Sequence, residues 1–288
     1  MHENMQELLR QLNKSGKRLS KGHRQIAEYI VEHYDKAVFM TASKLGEAVK
    51  VSESTVVRFA TAMGYEGYPQ LQKALQELVR QWLTAAQRFE MISDMEHSQV
   101  LGTVLQSDMQ NIRVTTDEID KTVFDEVVTR IDEARDIYVM GLRSAAPIAQ
   151  FLAYYLNFIF NNVRIVSEAS GDVFEQISRI SDRDLLFGIS FPRYSTRTIE
   201  AMSFAKKRGA SVVGLTDGRM SPVFTNSTLC LTARTDISSF VDSMAAPLSV
   251  INALIVALGL RRKEELREHF RLMEGIWEEY RVYVGKDK

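Results

Sequence analysis

The run Thr41-Ala-Ser-Lys-Leu-Gly-Glu-Ala-Val-Lys-Val-Ser-Glu-Ser-Thr-Val-Val-Arg-Phe-Ala-Thr-Ala-Met-Gly64 reads as two short helices joined by a tight turn at Lys50 and Val51. Ser52 stands where the second helix needs a cap, and Val56, Phe59, Ala60 and Met63 share one of its faces. That face must pack on the first helix and on Ile26 or Ile30 upstream. The opposite face carries Ser54, Arg58 and Thr61, with Thr55 and Val57 at its margins. A helix that projects hydroxyls and an arginine close to its N-terminus suits the major groove of duplex DNA. Arg offers guanine a bidentate fork, and hydroxyls reach base edges and phosphates. The candidate DNA contacts are therefore Lys50, Ser52, Ser54, Thr55, Arg58 and Thr61. Lys44 and the upstream Lys17, Arg18, Lys21 and Arg24 are placed to neutralise flanking phosphates.

Around this run the chain stays helical. Apolar residues recur at three and four through Ile26, Ile30 and Tyr34, then Leu45 and Val49, then Leu71, Leu75 and Leu78, punctuated by Gly64, Gly67 and Pro69. Beyond Gln81 the pattern turns polar, which places the inter-domain connection near 81–98, with a further helix from Gln99 to Val114. Past Thr122 the texture changes. Short apolar runs at 137–140, 163–166, 185–190, 212–216 and 229–231 alternate with helical stretches at 145–160, 173–179, 195–208 and 242–258. Strands of this kind, separated by helices, predict a parallel sheet buried on both faces. The expected fold class is thus α/β, an all-α helix-turn-helix domain followed by a doubly wound α/β/α domain with a five-stranded parallel sheet. The expected domains are 1–80, a linker and connecting helix over 81–120, and 121–288. A last amphipathic helix, Glu264 to Tyr280, packs back on this domain or on a second subunit.

Composition narrows the function classes. With 288 residues, 45% hydrophobic and 25% charged, and only 15 Gly and 5 Pro, the chain is a globular protein of about two domains. Its one cysteine, Cys230, forms no internal disulfide and supplies no thiolate cluster, and within an apolar strand it reads as a packing residue. No apolar stretch reaches membrane-spanning length, and Met1 to Asn13 lacks the pattern of a secretory signal, so a cytoplasmic location and no membrane partner are expected. The net charge of -1 conceals an asymmetry: residues 1–90 hold 13 Lys+Arg against 10 Asp+Glu, which leaves 23 against 27 for the rest. That permits a DNA-reading N-terminal part without requiring one.

In an open parallel sheet, ligands bind beyond the carboxyl ends of the strands, where helix N-termini offer N–H groups. Two strand ends stand out. One is Ile137-Tyr-Val-Met-Gly-Leu-Arg-Ser-Ala145, a glycine turn into a helix; the other runs from Leu185 through Ser190, Pro192, Arg193, Tyr194, Ser195 and Arg197 to Thr198. Hydroxyls and arginines gathered where a helix begins make an anion cradle, so Arg143, Ser144, Ser190, Arg193, Ser195 and Thr198 are the candidate effector contacts. Catalysis is not expected. His2, His23, His33 and His97 lie outside the α/β region and His269 lies in the last helix, while Glu168, Asp217, Asp236 and Asp242 read as caps or turn residues. The histidine spacing offers no metal site, and no cofactor is implied.

Leu19-Ser20 through Ile30, Val51-Ser-Glu-Ser-Thr-Val-Val-Arg-Phe59 and Gly64-Tyr-Glu-Gly-Tyr68 resemble the N-terminal domain of RpiR-type bacterial transcriptional regulators. In that family the domain is a DNA-binding helix-turn-helix, and the matching positions here are Ser52, Ser54, Thr55 and Arg58. The α/β layout resembles the sugar isomerase (SIS) domain that follows it in the family and binds phosphorylated sugars or related metabolites. One SIS motif, usually Ser-x-Ser-Gly-x-Thr, aligns with Ser190 to Ser195, where Pro192 and Arg193 depart from it. The other, usually Gly-x-Gly-x-Ser, has Arg143 at its second Gly and Ala145 at its Ser. The resemblance implies a regulator that binds double-stranded operator DNA and a sugar-phosphate-like effector, as a homodimer or homotetramer. The residues alone leave open a sugar-phosphate isomerase with an N-terminal docking domain, and a protein-interaction regulator that does not bind DNA.

Overall fold

The computed structural model describes residues 20–79, 84–90, 92, 95–236 and 240–284. Lys17, Arg18 and the start of the chain lie outside the described residues, as do 80–83 in the expected connection. Contacts divide the chain into two compact units, Met1–Met95 and Glu96–Lys288.

The first unit is helical: α1 (Lys21–Glu32), α2 (Tyr34–Ala37), α3 (Ala42–Val49), α4 (Glu53–Ala62), α5 (Tyr68–Val79) and α6 (Ala85–Glu90). Three helices begin on side-chain caps, with Ser20, Thr41 and Ser52 accepting from the backbone N–H three residues on. Most of the residues expected from periodicity form the core, with Ile26, Ile30, Leu45, Val56 and Phe59 fully enclosed; Tyr34 and Met63 are only partly buried, and Val38 and Tyr68 join it. Part of the Gly-Tyr-x-Gly-Tyr signature is structural. Tyr68 is buried and donates to Met40 O at 2.8 Å, fixing α5 to the loop before α3, and burial pushes its phenol up to about 12.

The second unit opens with α7 (His97–Glu118) and α8 (Lys121–Glu133). Then follow β1 (Ile137–Gly141), α9 (Ala146–Ile159), β2 (Val163–Val166), α10 (Val173–Gln176), β3 (Leu185–Ile189), α11 (Thr196–Lys207), β4 (Ser211–Thr216), α12 (Pro222–Asn226), β5 (Leu229–Thr232), α13 (Ala245–Arg261) and α14 (Lys263–Glu279). All five strands are parallel, in the order β2-β1-β3-β4-β5. One core cluster packs α8, α9 and α13 on one face of the sheet, and a second packs α11 and its neighbours on the other. β1 and β3 are buried throughout. β2 corrects the expectation of burial on both faces: as an edge strand it leaves Arg164 and Ile165 exposed.

Gly188 of β3 pairs with Gly214 of β4 in the middle of the sheet. A Cβ on Gly188 would lie 2.6 Å from Met202 Sδ, so the missing side chain is what lets α11 sit low on the strands. Among the described residues no single helix is long and apolar enough to cross a membrane.

Candidate functional site

The two candidate surfaces lie one in each unit. In the first, Lys50 adopts a left-handed conformation (φ 56°, ψ 44°) and closes α3, while Val51 N donates to Gly46 O at 2.8 Å. The turn is tight enough to require Gly46, since a Cβ there would stand 2.8 Å from Val51 O. Ser52 Oγ then accepts from Thr55 N at 3.3 Å and lies 2.9 Å from both Ser54 Oγ and Thr55 Oγ1. These hydroxyls form one cluster over the N-terminus of α4. Lys50, Ser52, Ser54, Arg58 and Thr61 are exposed and Thr55 is half-buried. Arg58 folds back along its own helix, Nε donating to Ser54 O at 3.2 Å and Nη2 to Thr55 Oγ1 at 3.4 Å. Thr61 Oγ1 donates to Val57 O. All six predicted contacts thus belong to one continuous turn and helix.

In the second unit the strand order reverses between β1 and β3, because β2 lies outside β1 while β4 and β5 extend from β3. Ligands bind at such a switch point, beyond the strand ends. Gly141 pairs with Ile189, so the loops carrying Arg143–Ser144 and Ser190–Ser195 leave neighbouring strands at the same level. Ser190 is buried, and its Oγ accepts from Ser195 N at 3.1 Å. Ser195 caps α11 by accepting from Thr198 N at 3.3 Å. Thr198 is fully buried, and its Oγ1 has no hydrogen-bond partner. Such a group is costly unless something else satisfies it. Three predicted residues are therefore joined by hydrogen bonds at the head of α11.

Arg143 and Arg193 are exposed, and both have positive φ, 55° and 65°. They stand where the SIS motifs usually have glycine. The backbone has kept the glycine-type conformation and placed a permanent cation on it, although that conformation is strained for a side chain.

Sequence reasoning missed how the second loop is held. Tyr194 OH donates to Asp217 Oδ1 at 2.8 Å, and Thr216 Oγ1, 2.7 Å from Ser221 Oγ, donates to the same carboxylate oxygen at 3.1 Å. The aligned motif contained Tyr194, but only the adjacency of β3 and β4 shows its partner. Arg197 pairs with Asp172 at 3.4 Å. Cys230 is half-buried, and burial pushes its thiol up to about 12. Among the described residues no three His, Cys, Asp or Glu side chains are grouped to hold a metal.

A helix-turn-helix unit followed by a doubly wound α/β unit defines the class of the protein. Residues 6–81 match the model described as "Helix-turn-helix domain, rpiR family", and residues 130–257 match the SIS domain. The chain belongs to the RpiR family of helix-turn-helix proteins with a SIS domain. It is 29% identical over 277 residues to the HTH-type transcriptional regulator HexR of Pseudomonas aeruginosa, covering 93% of this chain and 94% of the relative. It is 24% identical to HexR of Escherichia coli, over 95% of each. The fold matches Vibrio vulnificus NanR complexed with ManNAc-6P, with a TM-score of 0.59, 24% identity and coverage of 96% of this chain and 99% of that one. It also matches the sugar isomerase domain of an RpiR transcription factor from Sphaerobacter thermophilus, with a TM-score of 0.59, 24% identity and coverage of 61% and 98%.

Proposed function

We propose that this chain is a cytoplasmic DNA-binding transcriptional regulator whose operator affinity is set by a phosphorylated sugar or related carbohydrate derivative. Residues 1–80 read DNA, 81–120 connect, and 121–288 bind the effector and hold the subunits together as a homodimer or homotetramer. The observation that carries this reading is the pairing, in one chain, of an exposed hydroxyl-and-arginine recognition helix with a cationic hydroxyl cradle at a sheet switch point. Full-length relatives named as transcriptional regulators support it, and the NanR structure with ManNAc-6P supports the ligand class.

On DNA, Arg58 exchanges its bonds to Ser54 O and Thr55 Oγ1 for a base edge, while the cluster of Ser52, Ser54 and Thr55 at the helix N-terminus meets phosphate. One such unit reads half a site, so two copies on a two-fold operator contact half-sites about 34 Å or a multiple apart. In the cradle, the Ser144 hydroxyl and the Ser190 and Ser195 hydroxyls at the head of α11 bind the phosphate, Thr198 supports them from the buried first turn, and Arg143 and Arg193 supply the countercharge. An effector that prefers one arrangement of the paired DNA units by 1–3 kcal/mol changes operator affinity about 5- to 150-fold.

The isomerase reading is less well supported, since among the described residues no histidine stands at the strand ends and the carboxylate beside the cradle is already bonded. Asp217 is engaged by Tyr194 and Thr216, Glu168 is exposed on the turn after β2, and His269 lies in α14. The test is binding of the full chain to its own upstream intergenic DNA across a salt series, with and without a panel of sugar phosphates. Specific binding altered by one compound is the expected result. No preference over random duplex at any salt, together with turnover of a sugar phosphate, would replace the regulator with the enzyme.

A further inference from the structure

The loop between β3 and α11 crosses from one face of the sheet to the other. Phe191 is buried in the core that holds α8, α9 and α13, and Pro192 beside it is buried too, whereas Tyr194 packs against the core on the opposite face. Arg193 stands exposed at the crest between them, at φ 65°. The loop after β1 repeats the arrangement in reverse. Leu142 belongs to the second core and Ala145 to the first, and Arg143 stands exposed between them at φ 55°. Two arginines on neighbouring strand ends thus share one backbone device.

The two crests are closed differently. At Arg143 the backbone closes the turn, Ala145 N donating to Leu142 O at 3.2 Å, so tightly that a Cβ on Gly141 would stand 2.7 Å from Ala145 O. At Arg193 side chains do the closing. Ser195 N donates to Ser190 Oγ at 3.1 Å, and Tyr194 OH donates to Asp217 Oδ1 at 2.8 Å, tying the crest to the end of β4. Thr216 Oγ1 donates to the same oxygen at 3.1 Å and so fixes the carboxylate in turn. A side chain at positive φ is strained, and the strain persists only where the surroundings leave the residue no other conformation. Pro192, its φ locked by the ring, holds Arg193 on one side; the bond from Tyr194 holds it on the other.

We propose that Tyr194 is a positioning residue: through Asp217 it keeps Arg193 left-handed, and so keeps its guanidinium aimed over the strand end where the effector binds. The proposal rests on the cradle reading above. A long arginine side chain on a loose loop loses affinity for an anion to the cost of ordering both, and a fixed backbone beneath it removes part of that cost. The Tyr194 hydroxyl faces Asp217, so its effect reaches the ligand only through Arg193. Arg143, with its own backbone closure, is independent of it.

The test is a pair of double-mutant cycles on the full chain. In urea unfolding, Arg193→Gly relieves the strain and raises the midpoint; in a Tyr194→Phe background the crest is already free to relax, and the gain is expected to shrink to about half or less. The gain from Arg143→Gly is expected to be the same in both backgrounds. In calorimetric titration with inorganic phosphate, Tyr194→Phe is expected to lower affinity about 5-fold, and to lower it no further in an Arg193→Gly background. Asp217→Ala should behave as Tyr194→Phe does, and Asp217→Asn, which keeps an acceptor oxygen, should behave as the wild type. Equal gains from Arg193→Gly in the two urea backgrounds overturn the tether. An affinity loss from Tyr194→Phe that persists in the Arg193→Gly background, or no loss at all, overturns the positioning role. If the wild-type chain binds neither phosphate nor any sugar phosphate, the effector reading fails, and the urea cycle still decides whether Tyr194 holds Arg193.

Discussion

Arg58 is exposed and bonded only to its own helix turn, so its removal tests recognition without touching the core. Arg58→Ala is expected to weaken operator binding by about 1–3 kcal/mol with no change in thermal stability; unaltered affinity in a gel-shift titration would remove α4 as the reading helix. Arg193 sets two effects against each other. Arg193→Gly should relieve the left-handed backbone and stabilise the fold by about 1 kcal/mol, while lowering affinity for sugar phosphates by calorimetric titration. A gain in both would show that the guanidinium does not face the ligand. The aligned motifs made the Arg-for-Gly departures visible in the sequence, but not that the backbone kept φ near 60°. Likewise the capping role of Ser195 follows from its place before an apolar-periodic helix, whereas the bond from Tyr194 to Asp217 joins residues 23 apart in sequence and had no local signal.

At the scale of elements, the strands and most helices were legible because each carries its own periodicity. α4 ends where its apolar face ends, and β3 and β4 read as buried runs because they are central. α8 was passed over: Val127, Val128 and Ile131 are buried, but the surrounding charges sit between a long polar helix and the first strand. β2 misled for the opposite reason, since four β-branched and basic residues look alike in an edge and a central strand. The N-terminal ends of β1 and β3 are tied by Arg135, which donates to Asp184 through Nε at 2.9 Å and Nη2 at 2.7 Å. Burial pushes the Asp184 carboxyl up, but the bonds from Arg135 and Ser181 together outweigh it and hold the group below the usual carboxylate range. Since the folded value is the lower one, the pair's contribution is full above pH about 4 and is lost as pH falls through the depressed value. Arg135→Ala should therefore move the acid unfolding midpoint upward; an unchanged midpoint by fluorescence would assign the pair no role in acid stability.

The whole molecule is two compact units with separate cores. Calorimetry should resolve two unfolding transitions, and a sugar phosphate at about 100 times its dissociation constant should stabilise one of them by about 2.7 kcal/mol and leave the other in place. A single transition raised as a whole would show that the units melt together. The change in hydrophobic period near residue 122 marks where strands begin, whereas the compact units part between Met95 and Glu96, so that α7 counts with the α/β unit. The seating of α7, where Asn111 bonds to the backbone of Asp236 and Thr115 accepts from Arg234 N, had no local signal, because those groups lie more than 100 positions away. The paired glycines at the centre of the sheet carry one more consequence. α11 rests on the gap left by Gly188 through Met202, and its first turn lies six residues or about 9 Å nearer the N-terminus, at the proposed cradle. Strand β3 is thus the fulcrum of a lever: adding a single methyl group at Gly188 would raise the helix and re-aim its head, and with it the proposed cradle.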